Sequence, residues 1–120
     1  MSNKNEIWDP AKVEEFRELS ELSGESVFGR LYEVYRDETP EQLIRLGVHM
    51  ENEEWLQARE LAHHMKGGAM TLGALKITQL TEILEFEATE EKKAYARKKY
   101  KNLQEQVKIA LENLPIKNDD

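Results

Sequence analysis

The segment WLQARELAHHMKGGAMTL, residues 55–72, decides how this chain folds. Positions 55, 58, 62, 65, 69 and 72 hold Trp, Ala, Ala, Met, Ala and Leu. Steps of three and four residues draw one apolar stripe along a helix, and such a stripe suits the core of a helical bundle. Asn52 stands where it can cap the start of this helix, and Gly73 breaks it. At about 100° per residue, His63 falls just off the stripe and His64 nearly opposite it. Gly67 and Gly68 interrupt the pattern at a cost of about 1 kcal/mol each relative to alanine. Something other than helix stability must favour glycine there.

The flanking segments carry the same period. Asp9-Pro10 reads as a cap followed by proline at the first helical position, with Val13, Phe16 and Leu19 on one face of a short helix that ends within Ser20 to Gly24. Val27, Phe28, Leu31, Tyr32 and Tyr35 begin a second pattern, which resumes after Pro40 with Leu43, Ile44, Leu46 and Met50. Thr39-Pro40 permits either a fresh helix start or a kink within one long helix, and the kinked long helix is the reading preferred. Beyond Gly73 a helix starting near Ala74 sets Ile77, Leu80, Thr81, Leu84 and Ala88 on one face. Thr89-Glu90-Glu91 opens the last helix, with Tyr100, Leu103, Val107, Leu111 and Leu114 inward. Pro115 ends it, and residues 115–120 form a polar tail expected to fray. The expectation is an all-α, up-and-down antiparallel four-helix bundle with a short additional N-terminal helix, one domain over 1–120 with its core at about 9–114.

Composition removes most function classes. A chain of 120 residues supports a single core and leaves no room for a separate nucleotide-binding domain. Its net charge of -7 and the lack of a basic stripe argue against nucleic-acid binding. The absence of cysteine excludes disulfides and thiolate metal sites. Residues 1–6 lack the apolar core of a signal peptide, and no apolar run approaches membrane-spanning length, so the expected setting is the cytoplasm.

Chemistry collects around His63. On a helix, Lys66 and Gly67 lie three and four residues from it and are its surface neighbours, whereas His64 is not. A neutral imidazole can take a phosphoryl group directly on a ring nitrogen. An ammonium one turn away can neutralise the phosphate oxygens, and a glycine beside the ring leaves room for a partner carrying the other reacting group. The blander reading of His63 is a solvated surface histidine. A metal reading is weaker still. Glu60 and His63 match one Glu-x-x-His pair of a di-iron bundle, but neither His49 nor His64 supplies the second.

Taken together, Ala62-His63-x-Met65-Lys66-Gly67, then Gly73-Ala74-x-x-Ile77, then Leu84-Glu85 resemble the signature of histidine-containing phosphotransfer (HPt) domains of multistep two-component phosphorelays. The resemblance covers most of the chain. It implies that His63 is phosphorylated, that Lys66 contacts the phosphate, that Gly67 and the adjacent Gly68 admit a receiver domain, and that Gly73 makes the turn between the two central helices. Three positions depart from the usual pattern: Met65 in place of leucine, Gly68 in place of serine or another small residue, and Thr81 where cysteine is frequent. Gly68 lacks a hydroxyl that could have helped orient the imidazole. The implied function is that of a phosphorelay intermediate, a carrier and not an enzyme, with receiver domains of response regulators or hybrid histidine kinases as partners. It would hold no cofactor, because magnesium belongs to the receiver, and is expected to be a monomer. Val27, Phe28 and Leu31 are candidates for apolar docking contacts. The alternatives are a non-catalytic adaptor bundle or the phosphoacceptor module of a larger hybrid kinase; the start at Met1 and the acidic end favour a free-standing protein.

Overall fold

The structure, a computed structural model, describes residues 6–23 and 27–115, and the side chains of Val27 and Phe28 are outside the described set. The first helix is described as far as Ser23, inside the expected ending at Ser20 to Gly24, and the tail beyond Pro115 lies outside the described residues. The helices are α1 (Pro10–Ser23), α2 (Val27–Glu51), α3 (Trp55–Leu72), α4 (Leu75–Glu87) and α5 (Lys93–Leu111). Short connections fold α2 to α5 back and forth into an all-α bundle, each helix against the next, and α5 closes the ring against α2. Paired residues run in opposite senses: Arg59 reaches Ala88 and His63 reaches Glu85 between α3 and α4, while Tyr32 reaches Leu72 between α2 and α3. Among the described residues no helix is long and apolar enough to cross a membrane.

The α3 stripe is buried along its whole length, from Trp55 through Ala58, Ala62, Met65 and Ala69 to Leu72, with Leu61 added beside it. Facing it are Tyr32, Leu46 and Met50 of α2, Ile77, Thr81 and Leu84 of α4, and Leu103 and Val107 of α5. The segment through Thr39-Pro40 is one continuous helix, with Thr39 buried and the proline ring on the exposed side.

Four local expectations need correction. Leu19 is 42% exposed: two successive steps of three carry it about 120° away from Val13, and half-buried Ser20 stays nearer that face. Ile44 is 66% exposed, because Leu43 and Leu46 already fill the inward positions of that turn. Asn52 does not cap α3. Residues 52–54 instead close α2, with Glu53 at φ 57 and the Glu53 and Glu54 amides donating to the Met50 and His49 carbonyls, a Schellman ending. Thr89-Glu90-Glu91 form a turn, not the first turn of α5, and the Lys92 amide donates back to Thr89 O. Glu90 there accepts from the Trp55 indole at 3.0 Å and pairs with Lys93.

Two glycines are required by what approaches them. Gly73 sits at φ 80 and ends α3, its amide and that of Ala74 donating to Met70 and Ala69. A Cβ there would also meet Asp9 Cβ and Lys12 Cβ at 3.0 Å. The N-terminal segment crosses this turn, with Asp9 N donating to Gly73 O and Leu75 N to Ile7 O. Trp8, which the sequence pattern does not single out, is buried there edge-on against Tyr32, its indole donating to Asn113 O at 2.7 Å. The core therefore starts before residue 9. Gly47 lies under Tyr100, whose hydroxyl donates to Leu43 O at 2.7 Å. A Cβ on Gly47 would press on that hydroxyl and come within 2.9 Å of Cζ. Gly47→Ala is accordingly expected to lose roughly 1–3 kcal/mol by overpacking, which outweighs a helix-propensity gain of about 1 kcal/mol. Denaturant midpoints compared with Gly67→Ala, whose Cβ meets nothing within 4 Å, check this: the first should fall and the second should rise.

Candidate functional site

The exposed face of α3 is drawn by the residues its core stripe leaves out. Leu56, Glu60, His63, Gly67 and Met70 all face outward at alternating four- and three-residue steps. His63 is at the centre of this row, and its side chain is 67% exposed. Antiparallel packing of α4 on α3 brings Glu85 level with it. His63 Nδ1 lies 2.6 Å from Glu85 Oε2, and Lys66 Nζ lies 2.6 Å from Glu85 Oε1. One carboxylate thus joins the two residues that helical spacing had placed side by side. Glu82, one turn back on α4, is 4.0 Å from the same ammonium.

Protonation follows from this arrangement. The Lys66 ammonium, and after it the His63 ring, hold the Glu85 carboxyl below its ordinary range against the opposing effect of burial. An ionised carboxylate only accepts hydrogen bonds, so Nδ1 carries the ring proton and donates it to Glu85. In the neutral ring, Nε2 then keeps its lone pair, and the ring is exposed. Lys66 is held as well. Its side chain is only 17% exposed, paired with Glu85 and lying under the Phe86 ring, 5.9 Å from the centroid. It is a constrained cation and not a solvated one, because α4 lies along it.

The glycines differ in their surroundings. Gly67 faces open space, while Gly68 turns toward α2, where a Cβ would be an ordinary 3.6 Å from Tyr35 Cε1. The other histidines stand apart. His64 lines a small pocket with Tyr35, Glu38, Thr39, Gln42, Met65 and Gly68 on the α2 side. His49 pairs with Glu54 at 2.9 Å beside the α2–α3 turn. Among the described residues no three His, Asp or Glu side chains converge to hold a metal ion.

Glu85 is the site residue that spacing within α3 does not reveal. The Leu84-Glu85 pair marks where it stands, but its role depends on the register of α4 against α3. Comparison with known proteins adds one finding: the family model of the Hpt domain matches residues 30–115. No curated protein and no solved structure matches this chain.

Proposed function

Because this chain belongs to the Hpt domain family, a family of histidine phosphotransfer modules that carry phosphoryl groups in phosphorelays, we propose that His63 accepts a phosphoryl group from a receiver-domain aspartate and passes it to another receiver. The observation that carries the assignment is the Nδ1 tether to Glu85 on an exposed ring. Nε2 attacks phosphorus, the N–P bond forms, and the acyl O–P bond of the aspartyl phosphate breaks, returning the aspartate as a carboxylate. Nδ1 keeps its proton throughout. The ring therefore becomes a phosphorylated imidazolium, whose positive charge faces the Glu85 carboxylate, and transfer onward restores the neutral ring without moving a proton.

The remaining residues serve positioning and charge. Phosphorylation adds a charge of about -1.5 to -2, and Lys66, one turn from His63, is the cation available to it. Gly67 leaves the approach to the ring open, with Gly68 small on the α2 side. Phosphoryl transfer depends mainly on alignment and neutralisation, and in this reading magnesium and the acidic cluster belong to the receiver. The protein itself acts as a cofactor-free monomeric carrier in the cytoplasm.

Incubation with a panel of receiver domains phosphorylated on aspartate tests the reading. Label should move to this protein as a phosphoramidate, lost in acid and retained in base. An acid-stable label would place the phosphate on a hydroxyl and overturn the assignment, and no transfer from any receiver would favour the adaptor alternative.

A further inference from the structure

We propose a separate docking site on the opposite side of the bundle from His63: the seam between α2 and α5, which takes an acidic amphipathic helix of a partner protein. In the ring of helices this seam is diagonal to the α3–α4 seam that carries His63 and Glu85. A groove of about 520 Å³ runs along it, and its lining includes Ile44, Gly47, Val48 and Glu51 of α2 with Tyr100 and Gln104 of α5. Gly47 shapes the floor. Tyr100 passes over its bare α-carbon to reach Leu43 O, and no side chain fits between them. Ile44 and Val48, one turn apart at the edge of the groove, are 66% and 51% exposed. β-Branched residues on the exposed face of a helix interior gain neither propensity nor full burial for the fold. Here two of them adjoin the tyrosine ring, so the apolar surface is continuous.

Charge selects the occupant. The protein has a net charge of -7, yet between Lys92 and Lys108 it carries seven basic residues and one acid, Glu105. Packing sorts these by flank. Gln104 faces the groove, and Arg97, Lys101 and Lys108 share its flank of α5, all three exposed. Arg97 shares Glu53 with Lys93, whereas Lys101 and Lys108 have no ion-pair partner among the described residues. From Arg97 to Lys108 the row spans about 16 Å, three turns of a helix. The amides and carbonyls of α2 and α5 are engaged within their own helices, so a guest must satisfy its own backbone, as a helix does and an extended strand does not. A helix lying in the groove sets apolar side chains on Ile44, Val48 and Tyr100 and a row of acidic ones toward Lys101 and Lys108. A nucleic acid gains less, because the row is short and Glu51 lines the same groove.

The probe is a stapled helix of about four turns with leucines one turn apart on one face and glutamates along the adjoining edge; a second probe has lysine at each glutamate. Titrated with the full chain and read by fluorescence anisotropy, the glutamate helix should bind at least about tenfold more tightly than the lysine helix and weaken as salt rises. Lys101→Glu should reduce its affinity roughly tenfold and erase that preference, while Ile44→Ala should weaken binding and keep the preference. Lys76→Glu makes the same change in net charge on the α4–α5 seam and should bind as wild type. Amide shifts on binding should cluster at residues 44–48 and 100–104 and leave His63 unmoved. No binding of the glutamate helix, equal losses in Lys76→Glu and Lys101→Glu, or shifts centred on His63 would each overturn the site. Comparable binding of single-stranded DNA would reduce it to an unselective cationic patch, and dimerisation of the free protein abolished by Lys101→Glu would give the groove to a second copy; either result overturns the partner proposed. Binding is read without phosphotransfer, so the outcome is independent of the assignment of His63.

Discussion

His63→Gln is expected to accept no phosphoryl group from any receiver, while His64→Gln and His49→Gln retain most of the wild-type rate. Glutamine is close to isosteric with the imidazole and can keep a hydrogen bond to Glu85, so the bundle should retain its helicity and melting temperature. What disappears is the lone pair at Nε2. His64 cannot substitute, because it lies about 100° around α3 and faces α2. His49 has its own carboxylate partner in Glu54, which resembles the His63 pair in chemistry but stands near the far end of α3. Radiolabel transfer followed by peptide mapping distinguishes the three. Label persisting in the His63 variant would move the phosphorylated position elsewhere.

Glu85→Gln should slow transfer by roughly tenfold to a hundredfold, the range typical of groups that orient and polarise a reacting imidazole. The amide can still meet Nδ1, but it lacks the charge that faces the imidazolium formed on phosphorylation, and it leaves Lys66 with only the more distant Glu82 carboxylate. It can also donate, so the preference for the Nδ1–H tautomer weakens. Nitrogen-15 shifts of the His63 ring provide a readout that loss of packing alone would not move. In the wild type they should report a proton on Nδ1, and in the variant a mixture of tautomers. A wild-type rate with an altered tautomer would show that the tether does not limit transfer. The direction of the carboxyl shift sets the pH range for the experiment. Because Glu85 is held below its ordinary value, the tether and its contribution to stability are present above the usual carboxylate range and are lost only as pH falls through the depressed value. Near neutrality the carboxylate is therefore ionised.

How much of this was legible in the sequence depends on whether a feature is periodic. The α3 stripe could be read because burial repeats with the helix, and Trp55 through Leu72 follow that repeat without exception. Leu19 could not be placed by the same rule, since steps of three drift off a face that steps of three and four would hold. Asn52 misled because the same residue type serves a helix start and the residues just past a helix end; the left-handed turn at Glu53 decided between them. Trp8 belongs to no period. It is buried because the Gly73 turn, 65 positions later, is open enough for the N-terminal segment to cross it. At the site, spacing placed Lys66 beside His63 but said nothing of the carboxylate between them. That bridge comes from a second helix, and only the packed register of α4 on α3 supplies it.

The strap formed by Ile7, Trp8 and Asp9 across the Gly73 turn sets the boundary of cooperative melting. The family match begins at residue 30, but Trp8, Val13 and Phe16 belong to the same buried cluster as Tyr32 and Leu72. The buried cluster therefore extends beyond the stretch that the family model matches. Cutting the chain at the first matched residue would uncover Tyr32 and leave Asn113 O without its indole donor. The remaining helices would melt earlier and over a broader range, although every residue around His63 would still be present.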